Sequence, residues 1–156
     1  MKYNIKYLLL IIWVAAMGGF LFGYDWVVIG GAKVFYEPYF EITSPYMKGW
    51  GTSSALIGCI FGALFCFLFS DRYGRRFVLI ISALMFSFGA LGAALANSFM
   101  MYNIFRIIGG IGIGIALNQS PIYIAEMSPA HLRGKLVSVN QLMINIGILL
   151  AQVVNW

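Results

Sequence analysis

A chain of 156 residues that is 62% hydrophobic, 17% aromatic and only 10% charged, with a mean hydropathy of +0.89, lies far outside the range of water-soluble domains. It reads as an all-α, polytopic integral membrane protein. Its net charge of +5 does not indicate nucleic-acid binding, because the basic residues fall in short clusters between apolar runs and form no basic face or stripe.

The N-terminus, MKYNIKYLLLIIWVAAMGG, has the basic start and apolar core of a signal peptide. The apolar run continues to Ile29, however, too long for a cleaved signal and sufficient to span a bilayer, so a retained first transmembrane helix is expected. Apolar length places five spans at about residues 7–29, 51–69, 77–96, 100–123 and 136–156. Helices are required, because lipid satisfies no open backbone groups. Residues 30–50, with Lys33, Glu37, Glu41 and Lys48, read as a longer loop. SDRYGRR at 70–76 reads as a tight basic turn, 97–99 as a tight uncharged one, and AEMSPAHLRGK at 125–135 as a second basic connection.

Charge bias predicts orientation. Lys2, Lys6, Arg72, Arg75, Arg76, Arg133 and Lys135 fall on one side and Lys33 and Lys48 on the other, so the N-terminus is expected in the cytoplasm and the protein in the cell membrane. The likeness of DRYGRR to HLRGK, each closing a pair of spans on the inner side, hints at internal repetition.

Arg106 stands out because it is followed by IIGGIGIGIAL. A charge within the membrane costs several kcal/mol unless paired, and the acid at comparable depth is Asp25. With these spans, Arg106 lies about 9 Å and Asp25 about 6 Å below the outer helix ends. Two readings remain: the two face each other across the bundle, or Asp25 simply meets water at the interface. The polar residues of the fifth span, Ser138, Gln141, Asn145, Gln152 and Asn155, repeat at helical spacing on one stripe, with Asn140 off it. That stripe faces either a hydrated cavity or a packing seam, and its length favours the cavity.

Other features have plain structural explanations. Gly109, Gly110, Gly112 and Gly114, with Gly58 and Gly62, have the spacing of close helix packing, and lie too deep in apolar spans for a dinucleotide fingerprint. His131 has no second His or Cys near it in the sequence, so no metal site is expected. Cys59 and Cys66, seven residues apart on one helix and about 10 Å apart along it, read as small packing residues. No nucleophile, cofactor motif or catalytic constellation is legible, so neither an enzyme nor a cofactor is expected.

GFLFGYD at 19–25, SDRYGRR at 70–76 and the stretch from Arg106 to Gln141 together closely resemble the sugar porter family of the major facilitator superfamily, which includes bacterial proton-coupled xylose and arabinose symporters. The resemblance covers essentially the whole chain. It implies the first five transmembrane helices of a twelve-helix transporter, residues 1–156 being part of the N-terminal six-helix half, with a pentose or hexose site between that half and a second one.

Matched residue by residue, Asp25 corresponds to the acid that proton-coupled members carry on helix one, and Arg106 to its partner on helix four. A carboxylate beside a permanently charged guanidinium stays ionised, and separation of such a pair in a dry setting favours proton uptake. The resemblance therefore assigns proton coupling to Asp25 and Arg106, and substrate contact to Phe22 and Gln141. It assigns an inner-side ionic latch to Asp71, Arg72, Arg75, Arg76, Glu126 and Arg133. Two departures stand out: Ile148 replaces a second glutamine common in related symporters, and Phe67 replaces a glycine four residues before the loop acid. The first leaves the sugar unassigned; the second implies altered packing of helix two.

The expected function is sugar:proton symport by alternating access, from a chain too short to transport alone. Its expected partners are sugar, protons, the lipid bilayer and the missing second half. The alternatives are a facilitative carrier of the same fold, against which Asp25 argues, and a complete five-helix protein with a structural or regulatory role. Against the latter, no polar tail follows the fifth span before Trp156.

Overall fold

The computed structural model describes residues 5–156, with side chains from residue 10 onward; Lys2 of the basic start lies outside it, as does the side chain of Lys6. Five helices follow one another: α1 (Ile5–Tyr39), α2 (Pro45–Tyr73), α3 (Arg75–Ala94), α4 (Phe99–Met127) and α5 (Arg133–Val154). All five are long and apolar enough to cross a membrane.

The expected loop at 30–50 is helical over most of its length, a correction with a local cause. Gly30 and Gly31 do not break α1, and Gly31 instead admits Asn155 of α5 against its backbone. The helix stops at Tyr39 because a Schellman arrangement closes it: the Ile42 N–H donates to Glu37 O and the Glu41 N–H to Pro38 O. Glu41 takes the left-handed conformation at φ 51°, and the apolar residue after it, Ile42, is buried with Tyr36. Only residues 40–44 remain as connection before Pro45 opens α2 at a position where its missing N–H is harmless. The charges that suggested a loop decorate helix instead, and Lys48 pairs with Glu37 at 2.7 Å.

The α2–α3 turn is the single residue Gly74, whose φ of 85° suits glycine. Ser98 starts α4 by accepting the Met101 N–H at 3.2 Å. Pro121 lies inside α4, where it removes one backbone hydrogen bond.

The α4 helix is central: half of its most apolar stretch is buried, against 17–28% for the other four. It packs on α2 and α3, and less extensively on α1 and α5, while α1 packs chiefly on α5. Glycine sets these distances. A Cβ on Gly58 or Gly62 would strike the carbonyls of Ile107 or Ile111, and one on Gly110 or Gly114 those of Ala55 or Cys59.

The same contact recurs between α1 and α5 in matching register. Gly19 lies against Asn140 O and Gly23 against Ile144 O, as Gly110 and Gly114 lie against Ala55 and Cys59. Gly147 meets Phe20 O as Gly62 meets Ile111 O. The repetition therefore pairs α1 with α4 and α2 with α5. It does not pair the turns DRYGRR and HLRGK, which follow helices that are not equivalent in this scheme.

Candidate functional site: two ionic centres joined by one helix

At the seam between α1 and α4, the Arg106 guanidinium donates through Nη1 to Asp25 Oδ1 at 2.8 Å, and each side chain is only 14% exposed. Because α1 continues to Tyr39, Asp25 lies about 21 Å from the end of its helix. There it meets Arg106 across the seam. Arg106 Nε is buried without a partner in the structure, so the guanidinium depends on this one carboxylate for its charge.

Phe22 lies on α1 between the face that meets α4 (Gly18 and Asp25) and the face that meets α5 (Gly19 and Gly23). It is half-buried, with its ring 6.3 Å from that of Trp26. Gln141 is exposed on α5, with no side-chain hydrogen bond among the described residues. These two residues are not closed into a pocket.

The polar stripe of α5 divides. Ser138, Gln141, Asn145, Gln152 and Asn155 are all exposed, but Asn155 also donates to Val27 O at 2.8 Å and packs against Gly31. Asn140, off the stripe, is buried against Gly19.

A second centre occupies the end of the bundle that carries the α2–α3 and α4–α5 turns. Arg75 binds Asp71 at 2.6 Å and Glu126 at 3.0 Å, and donates to the Ser70 hydroxyl. Each of the three charges opposes the dipole of its own helix: Arg75 begins α3, while Asp71 and Glu126 lie in the last turns of α2 and α4. They are tolerated together because each answers the other. Arg72 stacks over Tyr73, 5.9 Å from the ring centroid, and Arg76 lines a neighbouring cavity. Neither forms an ion pair among the described residues, nor does Arg133. Of the six residues expected in a latch, the structure brings together Asp71, Arg75 and Glu126.

Sequence reasoning missed Gln119, Ser70 and the role of Cys66. Gln119 is fully buried, accepting from both Ser70 Oγ and Cys66 Sγ. The signal was present as the polar run Asn118, Gln119 and Ser120 just before Pro121 in a mostly apolar span, and as a Cys–Ser pair one helical turn apart. A cavity of about 470 Å³ between α1, α3 and α4 is lined mostly by aliphatic side chains and excludes Phe22, Asp25, Arg106 and Gln141. Sugar hydroxyls would find few partners there. Among the described residues no cluster of His, Cys, Asp and Glu could hold a metal.

Long apolar helices in two matching glycine-packed sets, with an ion pair at the seam, define a polytopic membrane bundle of the major facilitator type. Solved structures are similar to it. The proton:xylose symporter XylE of that superfamily, bound to 6-bromo-6-deoxy-D-glucose, has a TM-score of 0.87 and 42% identity, over 97% of this chain and 37% of that one. The inward open form of XylE from E. coli has a TM-score of 0.85 and 41% identity, over 92% of this chain and 38% of that one. Residues 11–156 match the family described as "Sugar (and other) transporter", and the chain belongs to that family of transporters.

Among its relatives, the glucose transport protein of Synechocystis sp. is 43% identical over 98% of this chain and 32% of its own length. The D-xylose-proton symporter of Escherichia coli K12 is 42% identical over 99% of this chain and 37% of its own. The chain thus spans about a third of the length of these relatives, and corresponds to the N-terminal part of the XylE fold.

Proposed function

We propose that the chain contributes part of the N-terminal half of a sugar:proton symporter that works by alternating access. The observation that carries this reading is the Asp25 and Arg106 pair, 2.8 Å apart and largely buried between α1 and α4. A carboxylate held by a single guanidinium at a seam can exchange a proton when the seam opens, and is held charged when it closes. Asp25 is the proton carrier in this proposal, and Arg106 its gate.

Gln141 hydrogen-bonds sugar hydroxyls, being both donor and acceptor, and Phe22 covers the C–H face of the ring. Asp71, Arg72, Arg75, Arg76, Glu126 and Arg133 form the cytoplasmic gate, with the N-terminus cytoplasmic in a cell membrane. The charge bias of the loops supports that orientation. The names of relatives, which include D-xylose-proton and arabinose-proton symporters, favour proton coupling over a facilitative carrier or a stand-alone five-helix protein.

The test joins residues 1–156 to the remainder of the E. coli D-xylose-proton symporter and follows sugar uptake. Asp25→Asn is expected to abolish accumulation against a gradient while leaving sugar exchange intact. Undiminished accumulation refutes the proposal. Residues 1–156 expressed alone are expected to give no uptake, because Phe22 and the exposed stripe of α5 have no opposing wall.

A further inference from the structure

Asp71 is 79% and Glu126 47% exposed, so neither alone fixes the guanidinium of Arg75, which is itself 26% exposed. The buried partner of Arg75 is Ser70, 3% exposed where α2, α3 and α4 meet. Hydrogen-bond direction follows from chemistry. A guanidinium only donates, so the Ser70 oxygen accepts from Arg75 Nη1, and its single hydrogen goes onward to Gln119 Oε1. Cys66 Sγ donates to the same oxygen at 3.1 Å. The amide of Gln119 is thereby oriented, with Oε1 doubly used and Nε2 buried without a partner.

A leucine at this position would fill similar space and leave no amide group unpaired, so the glutamine is a poor choice for stability alone. Its effect is on Arg75. We propose that Gln119 is a positioning residue: through the Ser70 hydroxyl it sets the Arg75 guanidinium so that its remaining edges reach Asp71 and Glu126. The relay deepens the cytoplasmic-gate reading and rests on it for its transport consequence, but its geometry can be tested without transport.

The experiment measures hydrogen exchange at Arg75 Nε–H by NMR, on the full chain in detergent micelles, alongside backbone amides of α4 such as Ile115. Gln119→Leu is expected to speed Arg75 Nε–H exchange about tenfold while Ile115 is unchanged, since the Ser70 hydroxyl loses its acceptor and the guanidinium loses the orientation that keeps Nε–H on Glu126. Ser70→Ala, which cuts the relay at its middle, is expected to do the same. Gln119→Glu keeps an accepting oxygen at this position and is expected to stay within about twofold of the parent chain.

Unchanged exchange at Arg75 in both Gln119→Leu and Ser70→Ala overturns the proposal, and so does equal acceleration at Ile115, which would mark general loosening. If Arg75 responds as expected but Gln119→Leu leaves uptake by the joined transporter untouched, the positioning role stands and the gate reading fails.

Discussion

Removing either partner of the Asp25 and Arg106 pair strands the other, but the two stranded groups have different remedies. The pair is 14% exposed on both sides, so a lone charge there lacks most of its hydration. A carboxyl group can neutralise itself by taking up a proton; a guanidinium cannot shed one. Asp25→Asn is therefore expected to lower the unfolding free energy by about 3 kcal/mol, at the low end for a broken buried pair. Arg106→Gln is expected to lower it by only about 1 kcal/mol, because Asp25 can become neutral and Arg106 Nε is already without a partner. The double variant should fall short of the sum by about 1–3 kcal/mol. Unfolding of the purified chain in micelles, followed by circular dichroism, measures all three. Equal losses in the two single variants, or no coupling between them, would refute the claim that the pair is dry and mutually dependent.

Three further outcomes follow from the geometry. Gly62→Ala drives a Cβ into the Ile111 carbonyl and should cost about 1–3 kcal/mol in the same unfolding assay, whereas Gly134→Ala, with open space around it, should gain about 0.5–1 kcal/mol. Glu41→Gly relieves a left-handed residue at the end of α1 and should stabilise by about 1 kcal/mol, read as a raised melting temperature. Gln141→Ala should leave folding unchanged, because that side chain is exposed and unbonded among the described residues, yet weaken sugar binding by the joined transporter about tenfold or more in equilibrium binding.

Apolar run length was enough to find five helices, since a spanning segment must satisfy its backbone internally and therefore reads as one long stretch. It could not place helix ends that project beyond that stretch. Residues 30–39 carry charges on continuing helix, and what stops α1 is a cap around Glu41 and Ile42, invisible to hydropathy. The contact of Asp25 with Arg106 was legible in kind because two isolated opposite charges in apolar spans have few other options. Gln119 was overlooked for a complementary reason: a neutral amide in an apolar helix raises no electrostatic alarm, and its meaning lies in Ser70 and Cys66, distant in sequence. The stripe on α5 misled at one end, where Asn155 has the periodicity of a cavity residue but is held by the Val27 carbonyl.

The glycine contacts divide the chain into two tightly packed groups. Backbone-to-backbone approaches lock α2 to α4 through Gly58, Gly62, Gly110 and Gly114, and α3 to α4 through Gly89 and Gly112, where Ser82 also donates to Gly112 O at 2.8 Å. Others lock α5 to α1 through Gly19, Gly23 and Gly147. The joint between the groups is the α1 and α4 seam, where Gly18 admits Ser120 and Asp25 meets Arg106. The Arg75 cluster, by contrast, lies wholly within α2, α3 and α4. A small displacement at the seam would separate Asp25 from Arg106 while carrying Asp71, Arg75, Ser70, Gln119 and Glu126 along as one body, because packed interfaces shift between discrete arrangements and do not stretch. Neutralising Asp25 should accordingly leave Arg75 Nε–H exchange at its parent rate. Acceleration there in Asp25→Asn would mean that the two centres are not mechanically separate and that α4 transmits the loss of its seam partner along its length.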